Sequence, residues 1–139
     1  MAFWLFKTEP SAYSWEQLER DQSTVWTGIR NAQARNYLKQ VKVGDSVFIY
    51  HTGEDKMIMG VAEITSEPFP DPTATKGEWV AVRVRPRAVL QRVVSLDEIR
   101  NTYGLSVMPL VTQPRLSVQP VTDDQARMIL KIAKTDLSL

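Results

Sequence analysis

The sequence contains no cysteine and a single histidine, His51. Without thiols there can be no disulfide, no thiolate zinc site and no cysteine nucleophile. With one imidazole, a multi-histidine metal site is excluded within the chain, and a Ser-His-Asp triad has only His51 to form around. Long apolar runs are also missing. The longest, Val47–Tyr50 and Met1–Phe6, fall far short of the roughly 20 residues that span a bilayer. No basic stretch followed by a long apolar one opens the chain, so no signal peptide is expected. These absences predict a soluble protein of a reducing compartment, cytoplasmic or, in a eukaryote, nuclear, with no membrane partner.

Catalytic signatures are lacking too. There is no phosphate-cradling glycine loop, no dinucleotide fingerprint, no HExxH and no GxSxG. Glu54-Asp55 and Asp123-Asp124 are accounted for by a loop and a helix N-terminus. The expectation is a non-enzyme with no cofactor and no metal. The net charge of +1 is far from that of a protein that wraps long stretches of nucleic-acid backbone. The charge itself argues neither for nor against nucleic acid, since a module that grips one base and a few phosphates need not be basic.

What is present suits one core. The chain has 139 residues, 43% hydrophobic and 24% charged, which predicts a single domain over 1–139, with a monomer favoured. Phe3-Trp4-Leu5-Phe6 is apolar throughout, as a strand buried on both faces would be. Ser14 with Gln17, Ser95 with Glu98 and Thr122 with Gln125 read as capping boxes opening three helices. Ala34, Tyr37, Leu38 and Val41 share one side of a helix running from about Ala32 to Gln40. Strands are expected at 25–27, 46–51, 57–65, 79–85 and 116–121. Three prolines make Glu67–Thr73 a surface loop. Several closely spaced strands with short helices between them predict an α+β fold, a small and mostly antiparallel β-barrel with helices packed outside.

Among the four tryptophans, Trp4 belongs to the apolar first strand, Trp79 opens an alternating one, and Trp15 sits at the first turn of a helix. Trp26 differs, because Thr27, Gly28, Arg30 and Asn31 follow it. Two roles fit Trp26: a plug in the core, or a platform on which a flat base stacks. Gly28 permits close backbone approach, and Arg30 and Asn31 can each make two directed bonds to a planar edge. Asn31 fits a helix N-cap equally well. Tyr50-His51 closes a strand beside a glycine loop, a common place for ligand contacts. Arg83 and Arg85 leave one strand on the same side, either as a phosphate-contacting stripe or as a solvated sheet face. Arg35 is either a phosphate contact or part of a solvated helix face.

Phe3–Pro10 with Tyr13-Ser14-Trp15, Trp26-Thr27-Gly28-Ile29-Arg30-Asn31 with Ala34-Arg35-Asn36, Val43-Gly44-Asp45, Tyr50-His51, Pro70-Asp71-Pro72 and Arg115–Val121 run in order along the whole chain. Together they resemble the EVE domain family. That resemblance implies a PUA-like barrel related to YTH and ASCH domains. It also implies a pocket for a modified base in DNA or RNA, such as methylated or hydroxymethylated cytosine or methylated adenine. By the same resemblance Trp26 is the first pocket candidate, with Arg30 and Asn31 beside it, and Gly28, Tyr50, His51, Trp15, Pro70 and Asp71 complete the set of ligand-binding candidates. Arg35, Arg83 and Arg85 are the candidates for the backbone. Two other readings stand beside it: a component of an RNA- or nucleotide-modifying enzyme, and an adaptor for a protein or small anion. The stretch from Asp71 to Trp79 is shorter than in many family members, which implies a shorter cover over the pocket.

Overall fold

The computed structural model describes residues 1–137. In chain order the elements are β1 (Phe3–Thr8), α1 (Trp15–Asp21), β2 (Thr24–Trp26), α2 (Ala32–Leu38), β3 (Ser46–His51) and β4 (Met57–Ile64). They continue with β5 (Phe69–Pro70), β6 (Val80–Ser95), α3 (Leu96–Arg100), α4 (Pro109–Thr112), β7 (Val118–Val121) and α5 (Asp123–Ile132). The strands form one mixed sheet in the order β2-β6-β4-β3-β1-β7, with β5 paired to β6. Among the described residues only the β1–β3 pair is parallel.

The apolar first strand divides its side chains between the two faces. Trp4 and Phe6 enter one core and Leu5 the other. β3 does the same, with Val47 and Ile49 against Phe48 and Tyr50. The first core lies inside the curl of the sheet, beneath α1 and α2. The second is covered by residues of α3, α4 and α5 such as Ile99, Leu110 and Ile129. Register shifts between β3 and β4 and twice between β4 and β6 bend the strands and increase their twist. The result is a curled half-barrel of PUA-like α+β type. Among the described residues no ladder joins edge strand β2 to edge strand β7. Helix α2 packs against both β6 and β7 and bridges that gap.

The caps explain where the helices start. Ser95 and Thr122 make full reciprocal boxes with Glu98 and Gln125. Ser14 only accepts from the Gln17 N–H, because the Gln17 amide turns instead to Asp21 at 3.0 Å. Strand β6 runs to Ser95, well past the expected end at Arg85, since Pro86 is accommodated opposite Ala62 where the register shifts. Ala81, which alternation puts on the same side of the strand as Arg83 and Arg85, is fully buried and stands opposite Phe69 of β5.

Trp15 fills the core over a glycine. A Cβ on Gly60 would lie 2.3 Å from Cζ2 of the Trp15 ring, a ring that is only 2% exposed. Gly60→Ala is therefore expected to cost about 1–3 kcal/mol by overpacking. Urea unfolding checks this, and an unchanged midpoint would mean that the ring has room to shift.

Candidate functional site

The open side of the half-barrel carries a cavity of about 590 Å3. Its walls come from the end of β1 (Lys7, Thr8), the turn into α1 (Tyr13), the β2–α2 connection (Trp26 to Ile29) and Ser117 before β7. Trp26 backs it. The ring is buried, 5.6 Å from Phe6 and 6.0 Å from Tyr13, with the Tyr13 ring edge-on at 89°. Trp26 is thus both part of the core and part of the cavity wall.

Gly28 has φ +85°, a left-handed conformation that favours glycine. The space a Cβ would fill there is open, so the backbone angle and not a crowded neighbour calls for glycine. The turn is clamped by Asp71. Its carboxylate is fully buried and accepts four hydrogen bonds: from the Gly28 N–H at 2.9 Å, Arg30 Nη1 at 2.9 Å, the Thr73 N–H at 2.7 Å and Thr73 Oγ1 at 2.6 Å. Burial alone would raise the carboxyl's pKa. The hydrogen bonds from Thr73, Gly28 and Arg30 override it and hold the group well below the usual carboxylate range. Arg30 also donates to Thr73 Oγ1 at 3.1 Å, and its guanidinium carbon lies 5.8 Å from the Trp79 ring centroid. Arg35 lies 5.0 Å from the same centroid. The loop following Pro70 is in this way pinned to the β2–α2 turn by charge and by cation–π contact.

The other candidates are distributed around this centre. Asn31 is exposed and caps α2, its Oδ1 accepting from the Ala34 N–H at 2.9 Å. His51 is buried with both ring nitrogens engaged. Nε2 accepts from the Trp15 N–H at 2.9 Å, which leaves Nδ1 to donate to Asp55 at 3.0 Å. His51 therefore fastens the start of α1, the segment that carries Tyr13. Tyr50 lies in the second core, on the opposite face of the sheet from Trp26, and Trp15 lies beneath the site in the first. On β6, Arg85 pairs with Glu63 at 3.0 Å. Arg83 is exposed, and its side chain has no ion pair among the described residues.

Several wall residues were not singled out from the sequence: Lys7, Thr8, Thr24, Thr27 and Ser117. Tyr13 entered there only as part of a family block. Lys7 donates from Nζ to the Pro114 carbonyl at 2.8 Å, and burial lowers its pKa. Its signal was one lysine closing an otherwise apolar strand. Among the described residues no group of His, Asp or Glu side chains is placed to hold a metal ion, and no helix is long and apolar enough to cross a membrane.

Residues 2–132 match the EVE domain family as a whole. The chain belongs to that family. Rat thymocyte nuclear protein 1 is 31% identical to it over 98% of this chain and 75% of the relative. That alignment runs over 170 positions, so the relative carries residues that this EVE domain lacks. The structure of human THYN1 in complex with 5-methylcytosine-containing DNA superposes with a TM-score of 0.90 at 28% identity, covering 98% of this chain and 99% of that one. A YTH domain from Zygosaccharomyces rouxii shares the fold, with a TM-score of 0.61 at 20% identity over 99% of this chain and 87% of that one.

Proposed function

We propose that this EVE domain is a non-catalytic reader of a modified nucleobase in nucleic acid, with the base held in the cavity against Trp26 and Tyr13. The observation that carries this reading is an aromatic-backed cavity with a clamped glycine turn at its rim, in a chain similar to a human protein crystallised with 5-methylcytosine DNA. An aromatic wall stacks a base for about 1–3 kcal/mol. The Thr8 hydroxyl is spent on the Tyr13 carbonyl and the Gly28 N–H on Asp71, so the Thr27 hydroxyl in the cavity wall is the proposed source of a directed bond to a base edge. Arg30, Pro70 and Asp71 act by holding the rim in one shape, and His51 and Trp15 by supporting it from below.

Lys7, Arg35 and Arg83 are the cations proposed to meet phosphates, with Arg85 weakened for that role by Glu63. His51 is not available as a general base, because both its nitrogens are used within the fold. The test is a titration with oligonucleotides that carry one 5-methylcytosine, 5-hydroxymethylcytosine or N6-methyladenine, in DNA and in RNA, against unmodified controls. At least one modification should bind about tenfold tighter or better, which a single well-placed pocket interaction of about 1.4 kcal/mol provides. Equal affinity across the panel would overturn the proposal.

A further inference from the structure

Beside the aromatic cavity lies a second depression of about 230 Å3. The two adjoin. Ile29 and Ser117 line the first, while Asn31 and Leu116, their near neighbours in sequence, line the second. The hydrogen bond from Lys7 to the Pro114 carbonyl ties a wall of one to a wall of the other. Buried Leu116 gives the second depression an apolar floor. Around it stand Asn31, Gln33, Gln113 and Arg115, all exposed, and no carboxylate lines it.

These side chains have unused hydrogen-bonding capacity. Asn31 spends only its Oδ1, on the helix cap. The side chains of Gln33, Gln113 and Arg115 make no hydrogen bond or ion pair among the described residues. Among exposed amides elsewhere, Gln40 and Asn101 donate to the Asn36 and Asp97 carbonyls, while Gln91 stands alone among the described residues; the groove is where three such side chains, Gln33, Gln113 and Arg115, come together.

The geometry points to this groove as the seat of the nucleotide adjacent to the modified base, its edge read by Gln33 and Gln113 with Asn31 and Arg115. A side-chain amide presents a donor and an acceptor side by side, and a guanidinium presents paired donors, the two patterns that distinguish adenine and guanine edges. Leu116 supplies the apolar surface on which the base rests. The inference rests on the reading of the Trp26 cavity as the modified-base pocket. It extends that reading from recognition of one base to recognition of its sequence context.

The test uses the full chain and the Gln33→Ala/Gln113→Ala double variant. Each is titrated with the best-binding modified oligonucleotide of the panel above, with all four bases placed in turn on each side of the modification, and with the unmodified counterparts. Wild-type affinity should vary about tenfold with the identity of one neighbour, as one directed base contact dictates. In the double variant that variation should shrink to about twofold or less, as expected once the edge contacts are gone. Its ratio of modified to unmodified affinity and its melting temperature should be unchanged, since both side chains are exposed. A wild type that distinguishes modified from unmodified bases but ignores both neighbours overturns the groove and leaves the pocket standing. So does a double variant that keeps the full neighbour preference. A wild type blind to every modification overturns both.

Discussion

Trp26→Ala is expected to lower the stability of the fold by about 3–5 kcal/mol, the usual cost of emptying a large aromatic site, and to eliminate base binding with it. The ring packs on Phe6 and Tyr13 and is 7% exposed, so its removal opens a void that reaches the cavity. Binding by the alanine variant alone cannot separate stacking from folding. Trp26→Phe does, because it keeps an apolar ring in place at a cost of roughly 1–2 kcal/mol. The phenylalanine variant should stay folded at room temperature and bind the modified oligonucleotide several-fold more weakly, having less surface for a base to stack on. Chemical unfolding of both variants, with titration of the second, checks the pair of effects. An alanine variant as stable as its parent would remove Trp26 from the core.

The second large effect concerns Asp71. Asp71→Asn leaves one acceptor oxygen and an amide donor facing the Gly28 N–H, the Arg30 guanidinium and both Thr73 donors. The loss should be about 3 kcal/mol at neutral pH, since a buried charge-assisted cluster is broken and its donors stranded. The pH dependence follows from the direction of the shift. The carboxyl's pKa is lower in the fold than in the unfolded chain. Its stabilisation is therefore complete above the ordinary aspartate value of about 3.9, and it drains away as pH falls through the lower folded value. Unfolding free energies at pH 7, 4 and 2.5 should show the wild type losing more than the asparagine variant across the acid range. Parallel acid profiles would mean that the clamp contributes nothing.

Much of the frame was legible in the sequence because it is written locally. The Ser95 and Thr122 boxes lie within four residues of chain, and the alternation of Val80, Val82 and Val84 fixes one face of β6 by itself. Asn31 as a cap was legible for the same reason. The clamp was not, because Asp71 and Gly28 are brought together by β5 pairing and by the turn after β2, far apart along the chain. Tyr50 and His51 are adjacent in sequence, yet the alternation of β3 sends one to each face of the sheet. Adjacency in sequence does not say which face holds the cavity. Lys7 and Ser117 became neighbours of Trp26 only through the placement of β1 beside β7. Pro86 hid the second half of β6, since proline's usual meaning in a strand is an end, and here a register shift absorbs it.

The position of β1 also constrains the order of assembly. It lies between β3 and β7, so it has one partner some forty residues further along the chain and another more than a hundred residues further. Such pairings carry a high loop-closure cost and slow the search for the native topology. The cavity has walls from both ends of this span, at Lys7 and Ser117. A nascent chain that has emerged only as far as β6 has its tryptophan but no complete cavity. A base bound in that cavity would therefore draw on the most global folding event in the molecule and would stabilise the chain as a whole, not one loop of it.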